Sequence, residues 1–355
     1  MTPILARSGQ SAVTSARAEA GAGPAAVLMN RTDFPSLCHA PGLVRLHGHR
    51  GMRGLMPENT LPGFAAAFAA GVQIVELDIL VTRDDVPVVL HDPQLSGAQT
   101  RDATGRWLEA DSPPIITLSY AQLAGYDVGS RDPRATDGES WPQQARLDGV
   151  PVPKLADICA LAKQPAHQEC WLNIEIKSSP LASHLTPPPD RLAELVTAEI
   201  RAAGLGGRTL LQSFDWRILE AAQAIAPEIP RSCVTYYPDD GAADEITVYP
   251  NSPYMGGAVL EEAASKDISS QLPRLVRQAG AVHWAPYFKD ITASHVEAAQ
   301  AEGLIVSVWT VNERQDIEQM IDFGVDGIIT DYPQRAQQLL QQRGMRWTDA
   351  EPAAG

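Results

Sequence analysis

Ile74-Val75-Glu76-Leu77-Asp78-Ile79 alternates acidic and apolar side chains in a run rich in β-branched residues. Successive side chains of a strand point to opposite faces, so Glu76 and Asp78 share one face while Val75, Leu77 and Ile79 occupy the other. A strand on the surface would make the acids trivial, but the apolar face needs cover. Both faces therefore pack, one against helices and the other inside a closed sheet. Carboxylates turned into such an interior cost several kcal/mol each unless something positive meets them. The run predicts a barrel strand whose inner face carries two metal ligands, Glu76 and Asp78.

On either side of this run, short β-branched stretches alternate with helical patterns rich in Ala, Leu, Glu and Gln, the mark of βα units around a parallel sheet. Strands are predicted over residues 43–47, 74–81, 171–176, 209–213, 231–236, 281–285, 305–310 and 327–330. Helices are predicted over 61–70, 191–203, 216–226, 270–279, 293–301, 316–323 and 334–342. Eight alternating units make a (β/α)8 TIM barrel. One interval breaks the rhythm: a β-branched run at 86–90 is followed by a stretch rich in Gly, Pro and Asp over about 93–153, too long for a loop. It reads as a small inserted subdomain after the second strand. The barrel is assigned to 43–342, between a loose N-terminal extension (1–42) and a C-terminal tail (343–355). Without the insertion it holds about 240 residues, the usual size for this architecture.

Composition bounds the function. The chain has 355 residues, of which 44% are hydrophobic, enough for one large core. Its 28 Lys and Arg against 43 Asp and Glu leave a net charge of -15, which repels polyanions and argues against a nucleic-acid partner. An anionic substrate would need a metal ion or a local basic patch. The four cysteines (Cys38, Cys159, Cys170 and Cys233) form no CxxC pair and read as free thiols. No stretch reaches the ~20 apolar residues of a transmembrane segment, and the first 26 residues contain no signal-peptide core. These features predict a cytoplasmic location.

Function in a barrel of this kind gathers at the C-terminal ends of the strands. The first strand ends in His47-Gly48-His49-Arg50-Gly51; His47 reads as a core imidazole and His49 as functional, since the glycines allow close ligand approach. In Asn173-Ile174-Glu175-Ile176-Lys177, Glu175 and Lys177 share a face, either as an internal ion pair or as part of a site. With Glu175, three carboxylates converge from adjacent strands, an all-oxygen set suited to Mg²⁺ or Ca²⁺. Val88-Val89-Leu90-His91-Asp92 adds a second histidine where a β run ends. Two imidazoles as acid and base, Arg50 and Lys177 to neutralise charge, and a metal to polarise phosphoryl oxygens suit phosphodiester hydrolysis. Trp309 reads as a substrate wall or a core residue, Asp331 as a helix cap, and the 52–56 loop, rich in Gly and Met, as mobile.

The ordered set His49-Arg50-Gly51, Pro57-Glu58-Asn59-Thr60, Glu76-Leu77-Asp78, Pro87-Val88-Val89-Leu90-His91-Asp92, Glu175-Ile176-Lys177, Gln212-Ser213-Phe214-Asp215, Val308-Trp309-Thr310-Val311-Asn312 and Gly327-Ile328-Ile329-Thr330-Asp331-Tyr332-Pro333 resembles the glycerophosphodiester phosphodiesterase family. The resemblance implies a TIM barrel with a small insertion. It also implies His49 and His91 as general acid and base, Glu76, Asp78 and Glu175 as metal ligands, and Arg50 and Lys177 as phosphate-binding residues. The reaction it implies turns a small-molecule glycerophosphodiester into sn-glycerol 3-phosphate and an alcohol. Two rivals keep the barrel: a phosphodiesterase of lysophospholipids or other diesters (phospholipase D-like), and an aldolase-like enzyme with Lys177 as Schiff-base nucleophile.

Overall fold

Eight parallel strands close on themselves: β1 (Arg45–Gly48), β2 (Ile74–Val81), β4 (Trp171–Ile176), β5 (Thr209–Ser213), β6 (Arg231–Thr235), β7 (His283–Pro286), β8 (Ile305–Val308) and β9 (Gly327–Thr330). Closure comes from β1, which pairs with both β9 and β2. The computed structural model of the chain describes residues 29–135, 141–237, 246–260 and 268–349. The remaining strand, β3 (Pro87–Val89), pairs antiparallel with the end of β2 and leads into the insertion. The predicted barrel is therefore observed, with four strands at their predicted bounds and the ends of the other four shifted by at most two residues.

The outer faces of the strands make the main core. Val75, Leu77 and Ile79 of β2, with Leu172, Ile174 and Ile176 of β4, pack on helices α1 (Leu61–Ala69), α3 (Leu155–Ala162) and α4 (Pro189–Ala203). In α4, Leu192, Val196 and Ile200 recur at helical spacing and are buried, and Gly204 ends the helix in a left-handed conformation (φ 73°). Helix α3 was not anticipated, although Leu155, Ile158, Cys159 and Ala162 hold the i, i+3, i+4, i+7 spacing and all are buried. Helices α5 (Trp216–Ile225), α6 (Leu272–Gln278), α7 (Ala293–Ala301), α8 (Arg314–Asp322) and α9 (Pro333–Gln342) complete the ring. Among the described residues, no helix is long and apolar enough to cross a membrane.

The insertion carries the short helix α2 (Tyr120–Leu123) and has a small core of its own, in which Leu80 and Val88 meet Leu95, Ile115, Leu118, Leu123 and Val152. The ends of the chain differ from the loose tails expected, as far as they are described. Leu37 is fully buried against Ile74, Trp171 and Ile305 at the N-terminal ends of β2, β4 and β8, so residues 30–42 plug the bottom of the barrel. Arg31 pairs with Asp326 at 2.6 Å, and Arg45 Nη2 donates to the Pro35 carbonyl. At the other terminus, Arg346 N donates to Gly42 O and Trp347 Nε1 to Gly71 O. Residues 1–28 and 350–355 of the predicted tails, and 136–140 of the insertion, lie outside the described residues.

Candidate active site

Register brings the acids together at the top of the barrel. Asp78 of β2 lies beside Glu175 of β4, and Glu175 beside Gln212 of β5. Glu76, Asp78 and Glu175 are buried and offer ligand oxygens that all lie within 4.8 Å of one another. Burial, and then the charges of Asp78 and Glu175, push the Glu76 carboxyl well above the usual carboxylate range. Burial opposes the charge on Asp78 too, but Lys177 and Arg50 outweigh it and hold that carboxyl well below its usual range. Such crowding of buried oxygens, with no sulfur or nitrogen ligand among them, fits a hard divalent cation.

Two cations border the acids. Lys177 Nζ lies 2.7 Å from Glu175 Oε1 and 3.5 Å from Asp78 Oδ1, so the ion pair foreseen as an alternative does form, and it forms inside the acid cluster. Burial works against the Lys177 charge, but Glu175 and Asp78 outweigh it and raise its pKa. Arg50 gives its backbone N–H to Glu76 Oε2 at 2.9 Å, while its side chain contacts Glu58 at 2.7 Å and Asp78 at 3.3 Å. Arg50 sits at φ 49° and Asn59 at φ 54°, left-handed conformations that non-glycine residues hold only under constraint. The constraint is visible: Asn59 Nδ2 donates to Asp78 Oδ2 at 2.9 Å, and Asn59 N donates to Arg50 O.

Each candidate histidine has a carboxylate at Nδ1. His49 meets Asp331 Oδ1 at 2.6 Å and His91 meets Asp92 Oδ1 at 2.6 Å. His49 Nε2 lies 3.9 Å from Glu76 Oε2. Burial lowers the His49 pKa, and the opposing pull of Asp331 recovers only part of it. Asp331 is not the helix cap expected from the sequence. The residue flanking α9 is Tyr332, which makes no side-chain cap, and the Asp331 carboxylate is taken by His49 and by Asn312 Nδ2. His47 is a core imidazole, as expected, facing Asn173 and Ser307.

His49, Arg50, Glu76, His91, Glu175, Lys177 and Trp309 line one cavity of about 140 Å³. A larger cavity of about 420 Å³ adjoins it, sharing Arg50, His91, Glu175, Lys177, Phe214 and Trp309 and walled further by Tyr236 and Tyr254. Trp309 Nε1 donates to Ala285 O, and its ring meets Phe214 edge-on at 5.3 Å and Tyr236 at 5.7 Å. The 52–56 loop, expected to be mobile, is pinned: Ala145 N of the insertion donates to Leu55 O, and Met52 is buried. Sequence reasoning assigned no role to Arg53, which lines the smaller cavity, or to Gln212, whose Nε2 lies 3.4 Å from Glu76 Oε1. The signals for Gln212 were its place in a strand next to the acids and in the motif Gln212-Ser213-Phe214-Asp215.

A family model and three known proteins resemble this chain. The model of the glycerophosphoryl diester phosphodiesterase family matches residues 49–335. A crystal structure of a candidate glycerophosphoryl diester phosphodiesterase from Silicibacter pomeroyi is 38% identical, covers 89% of this chain and 99% of its own, and superposes with a TM-score of 0.77. An Oleispira antarctica phosphodiesterase solved in complex with the product sn-glycerol-3-phosphate shares the fold at 21% identity and a TM-score of 0.58, over 84% of this chain and 97% of its own. A glycerophosphodiester phosphodiesterase of Bacillus altitudinis is 24% identical over 84% of this chain and 99% of its own length. With the family model spanning the barrel from His49 to Arg335, this chain belongs to the glycerophosphoryl diester phosphodiesterase family.

Proposed function

We propose that this enzyme hydrolyses glycerophosphodiesters to sn-glycerol 3-phosphate and an alcohol, with His49 and His91 as base and acid. The observation that best supports the reading is one cavity that combines an oxygen-only carboxylate cluster, two cations and two imidazoles, each with a carboxylate at Nδ1. Glu76, Asp78 and Glu175 would hold the divalent ion, Mg²⁺ or Ca²⁺, which when bound polarises the phosphoryl oxygens. Arg50 and Lys177, facing each other across Asp78, take the charge of the phosphate oxygens.

In-line displacement at phosphorus needs a base and an acid on opposite sides. His49 follows β1, and His91 follows β3, where Leu90 N donates to Asp78 O. Asp331 accepts the Nδ1 proton of His49 and leaves Nε2 free of a proton, facing the acid cluster; burial favours that neutral form. His49 is therefore the base. His91 lines both cavities and is the acid that protonates the departing alcohol, which lies against Trp309 in the larger one. Release of sn-glycerol 3-phosphate from glycerophosphocholine and glycerophosphoethanolamine tests the reading; release of the phosphorylated headgroup instead would refute it.

One observation favours a second reading, a lysophospholipid substrate. Leu181, in the turn Pro180–Ala182 just after Lys177, is 69% exposed, and the adjoining cavity has aromatic walls. An apolar chain would find both. Faster turnover of lysophosphatidylcholine than of glycerophosphocholine, lost in Leu181→Ser, is the result that would favour it. The Schiff-base reading finds no support, because Lys177 is held charged between two carboxylates rather than neutral.

A further inference from the structure

The acid cluster rests on a chain of polar side chains buried in the barrel interior. Register sets Asn173 beside Glu76 and Gln212 beside Glu175. Asn173 Nδ2 donates to Gln212 Oε1 at 3.1 Å and faces His47 Nδ1 at 3.4 Å. The chain continues from His47 Nε2 to Ser307 Oγ at 3.5 Å and from Ser307 Oγ to His283 Nε2 at 2.9 Å. It ends at Ser232 Oγ, 2.7 Å from His283 Nδ1. All six side chains are buried. Gly327 of β9 leaves them room, since a Cβ there would clash with Ser307 Oγ and His47 Nε2.

Protons give this chain a direction. Burial lowers the pKa of His47 and of His283, so each imidazole is neutral and has one donor and one acceptor. An amide nitrogen only donates, so His47 accepts at Nδ1 and gives its Nε2 proton to Ser307. Ser307 then donates to His283, which donates to Ser232. Asn173 Oδ1 has no partner, so the hydrogen bonds of this buried amide are all made by its nitrogen. With Gln212 Oε1 taken by Asn173, Nε2 is the end that faces Glu76 Oε1, at 3.4 Å. The other oxygen of Glu76 takes the Arg50 backbone N–H at 2.9 Å. Partners of this kind orient a ligand carboxylate before the ion arrives. The geometry points to Gln212 as a positioning residue for Glu76 in the metal site, with Asn173 fixing which end of the Gln212 amide faces the acids. The assignment rests on the metal-binding part of the reading above.

Calorimetric titration with Mg²⁺, and again with Ca²⁺, tests it without substrate. Gln212→Met, close in volume, should weaken ion binding by roughly tenfold or more, the scale of an outer partner of a metal ligand. Asn173→Leu should weaken it in the same direction, although Asn173 bonds to none of the three acids. Because Asn173 acts through Gln212, the double variant should bind the ion within about twofold of Gln212→Met alone. At saturating ion, kcat for glycerophosphocholine should return in Gln212→Met to within about threefold of wild type, a recovery that a general packing defect would not show. If Gln212→Met does not fold, Gln212→Asn keeps a buried amide but draws it back from Glu76, and it must show the loss. Affinity for both ions within about twofold of wild type in the folded variant overturns the assignment, as do additive losses in the double variant. So does a kcat that stays low at saturating ion. A wild-type protein that binds neither ion overturns the metal site and this assignment together. Ion binding that weakens in the variants, in a protein that releases sn-glycerol 3-phosphate from no diester, would overturn the reaction instead and leave the role of Gln212 standing.

Discussion

The Nδ1 atom of His49 lies 2.6 Å from the carboxylate of Asp331, and Asn312 holds that carboxylate from behind, also at 2.6 Å. The first strand's histidine is thereby oriented by the last strand's acid, across the closure of the barrel. Burial lowers the His49 pKa and Asp331 raises it, so removing the charge should lower it further. For a group that acts as base, the acid limb of the kcat/KM profile then moves to lower pH. Asp331→Asn is expected to show that shift together with a loss in kcat of at least about tenfold, because the correct tautomer is no longer enforced. An unmoved acid limb would contradict the pairing.

His49→Ala and His91→Ala should each lower kcat by at least about a hundredfold, the scale of general acid–base catalysis. The double variant should be little worse than either, since residues that act as a unit are not additive. A nitrophenyl diester, whose leaving group needs no proton, should rescue His91→Ala and not His49→Ala. Equal rescue of both would break the assignment.

The carboxylate cluster gives a prediction that does not depend on turnover. Glu76→Ala, Asp78→Ala and Glu175→Ala should each weaken divalent-ion binding in a calorimetric titration and abolish most activity. In the metal-free protein, Glu76→Gln should cost little or even stabilise, because burial and two neighbouring acids already disfavour that charge. Tight ion binding by the Glu76→Ala protein is the observation that would sink the site.

A pH dependence of stability follows from the barrel interior. His283 is fully buried between Ser232 and Ser307, and burial pushes its pKa down to about 4. The unfolded imidazole titrates near 6.5, so between the two values the unfolded chain binds more protons and stability falls as pH falls. The contribution is fully present above about pH 6.5 and amounts to roughly 3 kcal/mol lost by about pH 4. Tm should decline through this window, less steeply in His283→Asn. His47, buried and also shifted down, keeps the variant's slope from vanishing. A variant with the wild-type slope would show that His283 does not carry the effect.

Strand alternation made much of this site legible. The period of two put Glu76 beside Asp78 and Glu175 beside Lys177, and strand ends marked His49 and His91. The partners that make these residues work were harder to see, because they meet only when the barrel closes. Asp331 stands 282 residues from His49 in sequence, and a carboxylate just ahead of a helix looks like a cap until its real partner is in view. Leu37, which plugs the barrel with Phe34 beside it, stands in a segment without periodicity. Arg53 drew no reading of its own in a loop rich in Gly and Met, and only the fold brings Trp141 to it from the insertion. Helix α3 is a different case, since its spacing was present in the sequence and overlooked.

The central claim is that three buried carboxylates hold the ion needed to hydrolyse a glycerophosphodiester. Release of sn-glycerol 3-phosphate from glycerophosphocholine, assayed after EDTA treatment and again after adding back Mg²⁺ or Ca²⁺, measures it directly. Activity should disappear with the chelator and return with one of the two ions, and neither ion should restore it to Asp78→Ala. Full turnover in the presence of EDTA would contradict the account.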